Sequence, residues 1–346
     1  MRSTKRTFAV RAAAAVCLVL GLAAALAPGR AVQAPPKKWY KGNLHTHTTN
    51  SDGDSPPDVV AAWYKDHGYQ FLVLSDHNVF TEVAKLNDTF GAEEKFLLIP
   101  GEEVTDKFGT TPVHVNGYGL ASLVKPAGGD SLVATIQRNV DAIREAQGLP
   151  SVNHPNFRWA FGSRELLQVE RLSLIEVYNG HPLVYNRGGG GVESLEEMWD
   201  ALLSAGKVTY GIAVDDAHVF KTMTKDLANP GRGWVMVRAT SLSPANIIAA
   251  LRSGDFYAST GVELASIERT ENELRITIDP SPNPYTDQKF TTTFLGEGGR
   301  VLGKSFETTP VYQFKGGEKY VRAVVRASNG DDAWTQPMFA PAAGGD

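Results

Sequence analysis

The stretch NLHTHTTNSDGD, residues 43–54, offers three metal-ligating side chains, His45, His47 and Asp52, within eight positions. It follows a predicted strand over residues 40–44, so the two histidines lie where that strand ends. Taken alone, the two histidines are weak evidence for a metal site, because polar residues commonly follow a strand. Five more groups of ligand-type residues occur further along the chain, and together they predict one metal cluster.

Each of these later groups ends a predicted strand or lies on one. The candidate ligands are His45, His47, Asp52, His77, Glu102, His114, His154, Asp216 and His218. Imidazole and carboxylate ligands together suit Zn²⁺, Mn²⁺ or Fe²⁺. Nine ligands are too many for one ion, so the sequence predicts two or three divalent ions. The neighbouring Glu103 is predicted to be structural.

Predicted strands and helices alternate up to residue 261, which indicates parallel βα units and an α/β fold. Because the ligand-type residues fall at the carboxyl ends of strands, a barrel is the predicted architecture for residues 35–261. Beyond residue 261, short strand-length runs alternate with turn residues. Residues 262–346 are therefore predicted to form a small antiparallel β domain.

The first 34 residues read as a secretory signal peptide. Basic residues precede an apolar run over residues 12–27, and small residues at 32–34 suit cleavage. Export to the periplasm or the outside is predicted, by either the general secretory or the twin-arginine route. The run is short for a membrane span, so no stable span is expected after cleavage. The one cysteine, Cys17, lies in this leader, so the mature chain is predicted to lack disulfides.

The net charge of the predicted mature chain limits the classes of molecule that it is expected to bind. Removing residues 1–34 removes five basic residues and no acidic ones, which takes the net charge from −4 to −9. Affinity for duplex nucleic acid rests on neutralising phosphates with basic residues. Duplex nucleic acid is therefore excluded as an expected partner, and a small-molecule ester is the expected substrate.

In order along the chain, NLHTHTTNSDGD, VLSDH, PGEEV, VHVNG, NHP and DDAH resemble the successive motifs of the PHP (polymerase and histidinol phosphatase) superfamily over roughly residues 40–260. The resemblance implies a distorted (β/α)7 TIM-like barrel with a di- or trinuclear site. It implies a first ion at His45, His47, Glu102 and Asp216, a second at Glu102, His114 and His154, and a third at Asp52, His77 and His218. A looser resemblance links the leader and the β tail to secreted metallohydrolases that include carbaryl hydrolases.

These features predict a metal-dependent phosphoesterase acting on phosphomonoesters or diesters. The nucleophile is expected to be a metal-bridging hydroxide, because no G-x-S-x-G turn or Ser-His-Asp order is present. Asp216, His218 and Glu102 are the predicted catalytic residues. One alternative is a carbamate or carboxylic ester hydrolase with an aromatic-lined pocket, for which Trp63, Phe80, Trp159 and Tyr178 are candidates. The other is a non-catalytic, metal-stabilised surface-binding module.

Supporting residues are predicted around the ligands. Asp76 and Asp215 adjoin ligand motifs and are expected to orient histidines. Arg158 and Arg187 are expected to bind an anionic substrate from loops after site strands. His181 is expected to contact the substrate.

Overall fold

The computed structural model of the chain describes residues 35–91, 95–280 and 287–340. The predicted leader and Cys17 lie outside these residues, so export and cleavage stay predictions. Within the described residues, no helix is long and apolar enough to cross a membrane.

Strands and helices alternate through the first two thirds of the described chain. The elements are β1 (Lys38–Asn43), α1 (Pro57–Asp66), β2 (Phe71–Leu74), α2 (Ala84–Phe90), β3 (Leu97–Phe108), β4 (Thr111–Tyr118), α3 (Leu132–Glu145), β5 (Leu149–Val152), α4 (Ser163–Leu166), β6 (Leu174–Asn179), α5 (Leu195–Ser204), β7 (Tyr210–Val214), β8 (Trp234–Ala239), α6 (Pro244–Ser253) and β9 (Phe256–Ser259). Local sequence explains their ends: Ser194 and Glu197 form a capping box that starts α5. Gly254, with a φ of 69°, ends α6 in the left-handed conformation that glycine adopts without strain.

These strands form one large mixed sheet, which confirms the α/β class. β1, β2 and β3 are parallel, and so are β5, β6 and β7. Between the two groups, β4 runs antiparallel to both β3 and β5. β8 pairs antiparallel with the other edge of β1, and β9 follows it.

The predicted closed barrel is wrong, because the ladder of paired strands ends at β7. β8 already occupies the free edge of β1, so β7 has no edge of β1 to pair with. The two segments meet only beyond their strand ends. There Asp216 N donates to His45 O and His47 N donates to Ala217 O, both at 2.9 Å. These two bonds bring the segments that carry the first and last predicted ligand motifs side by side.

The C-terminal region is antiparallel, as predicted. Its strands are β10 (Glu263–Arg269), β11 (Glu273–Asp279), β12 (Phe290–Gly296), β13 (Arg300–Ser305), β14 (Val311–Gln313), β15 (Tyr320–Ala327), β16 (Asp332–Thr335) and β17 (Met338–Phe339). β10, β11 and β14 make a separate three-stranded sheet, whereas β16 pairs with β9 and so joins the others to the large sheet. The predicted domain boundary after residue 261 stays a prediction.

One C-terminal side chain completes the open edge of β7. Gly211 N donates to Gln336 Oε1 at 2.9 Å, and Gln336 Nε2 donates to Gly211 O at 2.7 Å. Gln336 is fully buried, and its amide satisfies backbone groups that a neighbouring strand would otherwise pair. The C-terminal region therefore supports the strand that leads into Asp216.

Candidate metal centre

Strand ends and neighbouring turns bring eight of the nine predicted ligands together. These eight are His45, His47, Asp52, His77, His114, His154, Asp216 and His218, and they fall into overlapping groups whose ligand atoms lie within 4.8 Å of one another. His154 and Asp216 adopt positive φ angles of 25° and 51°, where the chain turns sharply after β5 and β7. Such conformations are uncommon outside glycine and are often found at functional sites.

The ninth candidate ligand in the cluster is Glu103 in place of the predicted Glu102. Adjacent residues of a strand point to opposite faces, and on β3 it is Glu103 that faces the histidines. Glu102 lies on the other face, where its Oε2 accepts a hydrogen bond from Val124 N at 2.9 Å. Burial there raises the pKa of Glu102 to about 7, against the hydrogen bond from Val124. Glu102 is thus removed from both predicted roles, metal bridging and catalysis.

Four ligand atoms form a compact first set. His45 Nε2 lies 3.1 Å from His47 Nε2 and 3.2 Å from both Glu103 Oε2 and Asp216 Oδ1. His47 Nε2 lies 3.3 Å from Glu103 Oε2 and 3.2 Å from Asp216 Oδ1. Ligands about 2.0–2.2 Å from a tetrahedral ion are about 3.3–3.6 Å from one another. The spacing and the chemistry of these four donors therefore fit a divalent ion.

The Glu103 carboxylate lies between this first set of ligand atoms and a second set, formed with His114 and His154. Its Oε1 lies 3.0 Å from His114 Nδ1 and 3.4 Å from His154 Nε2. His114 Nδ1 is buried and, despite that distance, makes no well-aligned hydrogen bond among the described residues. An unpaired buried nitrogen is costly unless something else satisfies it, and a metal ion would do so. Glu103 therefore has the position of a bridging ligand.

A third set lies at the mouth of the site, around Asp52. Asp52 Oδ1 is 3.4 Å from His218 Nε2 and 3.6 Å from His47 Nδ1, and its Oδ2 is 3.6 Å from His77 Nε2. The Asp52 side chain is 56% exposed, whereas the ligands of the first set are buried. An ion held here would be the one most open to substrate.

The pKa shifts favour metal binding at some of these ligands and oppose it at others. Against the effect of burial, neighbouring carboxylates raise the pKa of four histidines, His45, His77, His154 and His218. Burial opposes charge on Glu103 and Asp216, but the histidines around them, His45 foremost, hold the pKa of both carboxyls well below the usual range. Burial lowers the pKa of His47 to about 3. For His77, burial is outweighed by nearby carboxylates, which raise the pKa to about 9. Because ligands bind metals in their deprotonated forms, binding at His77 releases a proton near neutral pH.

Glu176 orients the central histidine. Its Oε1 lies 2.7 Å from His45 Nδ1, and its Oε2 accepts hydrogen bonds from His154 N at 2.8 Å and Asn179 Nδ2 at 2.9 Å. A carboxylate on the far ring nitrogen fixes the tautomer so that Nε2 is free to bind a metal. Glu176 is buried on β6, and this strand carries it to the site.

Two buried amides support the carboxylate ligands. Asn153 Nδ2 donates to Glu103 Oε1 at 2.9 Å, and Asn179 Nδ2 donates to Asp216 Oδ2 at 3.1 Å. Sequence reasoning missed both asparagines. Their one available indication was their position at strand ends, as the first residues of NHP and NGHP.

Asp76 and Asp215 have other roles than the predicted one. Asp76 accepts hydrogen bonds from Thr48, Ser51 and Thr81, and so shapes the loop that carries Asp52. Asp215 accepts from the backbone nitrogens of Arg232 and Gly233 and from the Tyr64 hydroxyl. Neither has a direct contact with a histidine among the described residues, so each positions a loop.

We expect Glu176→Gln to weaken metal affinity by about 10- to 100-fold, the usual cost of losing a partner behind a ligating histidine. The variant keeps all nine ligands and loses only the charge behind His45. Competition against a chromogenic chelator of known affinity measures the change. Unaltered affinity would show that Glu176 has no part in holding His45.

A cavity of about 200 Å³ opens over the ligands. Besides ligand residues, its lining includes Phe157, His181 and Leu183, and the contact of His181 with a substrate stays a prediction. Arg158 is exposed beside the Phe157 ring and does not line this cavity. Arg187 lines a separate cleft of about 1110 Å³ formed with the C-terminal region. Among the described residues lining the metal cavity, none is arginine or lysine, which corrects the prediction for both arginines.

The aromatic residues suggested for a carbamate pocket also lie elsewhere. Trp63 stacks on His67, Trp159 stacks on Tyr185, and Tyr178 lines the larger cleft. Phe80 packs against the core. The apolar wall of the metal cavity is formed by Phe157 and Leu183 instead.

No protein-family model matches the chain, and no curated protein does. Among solved structures, the chain is similar to a two-domain protein from Bacteroides vulgatus containing a predicted PHP-like metal-dependent phosphoesterase. The match has 17% identity, a TM-score of 0.49, and covers 85% of this chain and 91% of that one. It is also similar to an amidohydrolase from Chromobacterium violaceum, with 18% identity, a TM-score of 0.38, and coverage of 54% of this chain and 90% of that one. At these identities and TM-scores, function has to be inferred from this chain's own side chains.

Proposed function

We propose that this chain is an exported metal-dependent hydrolase of the PHP type that cleaves phosphomonoesters or diesters. The observation that carries the proposal is the Glu103 carboxylate, whose two oxygens lie within 3.4 Å of nitrogens of five histidines. Asp52, Asp216 and His218 complete the donor set. Such a set suits two or three ions of zinc, manganese or iron.

The chain's own residues would hold the ions and shape the cavity. Divalent ions bound there supply Lewis-acid charge and lower the pKa of a coordinated water to roughly 7. Among the described residues, the cavity lining has no serine, threonine, cysteine or lysine, which supports water as the nucleophile. Glu176 keeps His45 Nε2 available, and Asn179 keeps Asp216 in place.

A second candidate is hydrolysis of a carbamate or carboxylic ester at the same ions. It is favoured by the cavity lining, in which Phe157 and Leu183 present apolar surface and, among the described residues, no arginine or lysine is placed to bind a phosphate. In a phosphoesterase of this design, the bound ions alone would have to balance the charge of the substrate. The two candidates therefore differ in the substrate and share the metal centre.

Parallel assays separate the candidates. Mature protein loaded with Zn²⁺ or Mn²⁺ is tested on aryl phosphates, aryl phosphodiesters and aryl carbamates, with His45→Ala as the inactive control. We expect phosphoester turnover that His45→Ala abolishes. Turnover of carbamates alone would select the second candidate. Full metal occupancy with no turnover of any ester would point to the metal-stabilised binding module.

A further inference from the structure

The turn that follows β6 is fixed against the metal site. Asn179 Nδ2 donates to Asp216, so its Oδ1 is left to accept from His181 N, at 2.8 Å. Gly180 N donates to Val214 O at 2.9 Å, and Gly180 O accepts from Arg232 Nη1 at 2.8 Å. The histidine at the head of this turn is therefore held in place before any substrate arrives.

The His181 ring is held in one tautomer. Leu183 N donates a hydrogen bond to His181 Nδ1 at 3.1 Å. A ring nitrogen that accepts a hydrogen bond carries no proton, so the neutral imidazole has its proton on Nε2. Nε2 has no hydrogen-bond partner among the described residues, and His181 belongs to none of the ligand groups. The ring lines the cavity between Phe157 and His218.

We propose that His181 is a fixed, neutral hydrogen-bond donor to the substrate, acting through Nε2–H on an oxygen of the group under attack. This inference rests on the proposed hydrolase function. A preorganised donor aimed at an oxygen that gains negative charge stabilises the transition state at no cost in reorganisation. The donor also supplies a polar contact in a cavity whose lining otherwise offers ligands and apolar surface.

The same geometry excludes His181 as a proton source for the leaving group. A histidine that is an effective acid near neutral pH gives up its Nε2 proton from the imidazolium form, which carries a proton on Nδ1 as well. Protonating Nδ1 would break the bond from Leu183 N and set two N–H groups against each other. The ring therefore neither gains nor loses a proton during turnover.

Two variants of His181 test the contact. Inorganic phosphate is titrated calorimetrically into metal-loaded wild type, His181→Phe and His181→Gln. Phenylalanine keeps the ring and removes the donor, and we expect it to weaken phosphate binding by about 10- to 100-fold, as for a hydrogen bond to a charged group. Glutamine places an N–H near the position of Nε2 and is expected to recover most of the loss. Equal affinities for all three proteins, at equal metal content, would overturn the contact.

A leaving-group series tests the role in turnover. For a donor to the attacked group, His181→Phe loses the same factor in kcat/KM with 4-nitrophenyl, phenyl and methyl leaving groups. A loss that disappears for 4-nitrophenyl and grows for methyl would show proton transfer and overturn the proposal.

The tautomer is read separately by ¹⁵N NMR of histidine-labelled, Zn²⁺-loaded protein, with His181→Phe assigning the resonance. We expect an unprotonated Nδ1 and a protonated Nε2 at the neutral pH of the turnover assays. A proton on Nδ1 would refute the proposal. If wild type turns over no ester, the hydrolase proposal fails, while phosphate binding and the NMR measurement still decide whether His181 is the donor.

Discussion

Glu103→Gln is expected to empty the metal centre. The substitution keeps the size of the side chain and removes the charge that sits between two ligand sets, within 3.0–3.4 Å of His45, His47, His77, His114 and His154. Losing an outer partner of a ligand costs about 10- to 100-fold in metal affinity, so losing the bridging ligand should cost more than about 100-fold. Elemental analysis after dialysis measures the bound metal, and turnover should fall with it.

Glu102→Gln is the matched control, one residue away on the same strand. Glu102 faces Val124 and not the histidines, so the Glu102→Gln protein should bind as much metal as the wild type. Because burial raises the pKa of Glu102 to about 7, its charged form is unfavourable in the folded protein, and a neutral side chain should be tolerated above that pH. Metal loss in Glu102→Gln with retention in Glu103→Gln would reverse the assignment.

Arg322→Met is expected to destabilise the protein by about 3–5 kcal/mol, the usual cost of leaving one member of a buried ion pair alone. Arg322 on β15 is buried, and its Nε and Nη2 donate to the two carboxylate oxygens of Asp200 on α5 at 2.7 and 2.6 Å. The guanidinium also stacks on the Trp199 ring, 4.7 Å from its centroid. Urea unfolding of metal-free protein, followed by tryptophan fluorescence, measures the change.

Two comparisons isolate the buried charge. Arg326 on the same strand pairs with Asp332 but is half exposed, so Arg326→Met should cost less than about 1 kcal/mol. Adding Asp200→Asn to Arg322→Met removes the orphaned charge and should recover much of the loss. Equal effects of Arg322→Met and Arg326→Met would mean that the Arg322 pair does not secure the C-terminal strands to α5.

Local sequence was sufficient to predict the α/β class and the convergence of eight candidate ligands. Strand-ending motifs such as NLHTHTTNSDGD, NHP and DDAH place polar groups where neighbouring strands end, so their convergence follows from strand order. Local sequence could not show which of Glu102 and Glu103 faces the histidines. Two adjacent acids on a strand differ only in the face they occupy, and that face is set by pairing with β4.

Contacts between segments that are distant in sequence explain why the predictions for the barrel and for the two arginines were wrong. The open edge of β7 results from β8 pairing with β1, and Gln336 reaches that edge from 125 residues away. Arg158 and Arg187 follow site strands in sequence, but the path of their loops carries them outside the metal cavity. No local pattern encodes either outcome.

Anomalous diffraction from crystals of Zn²⁺- or Mn²⁺-loaded protein tests the metal centre most directly. We predict at least two anomalous peaks, with one Glu103 oxygen at each of two neighbouring ions and His45, His47 and Asp216 around the first. A cluster without a peak at saturating metal, or ions that do not contact Glu103, would contradict the assignment of this cluster as a multinuclear hydrolase site.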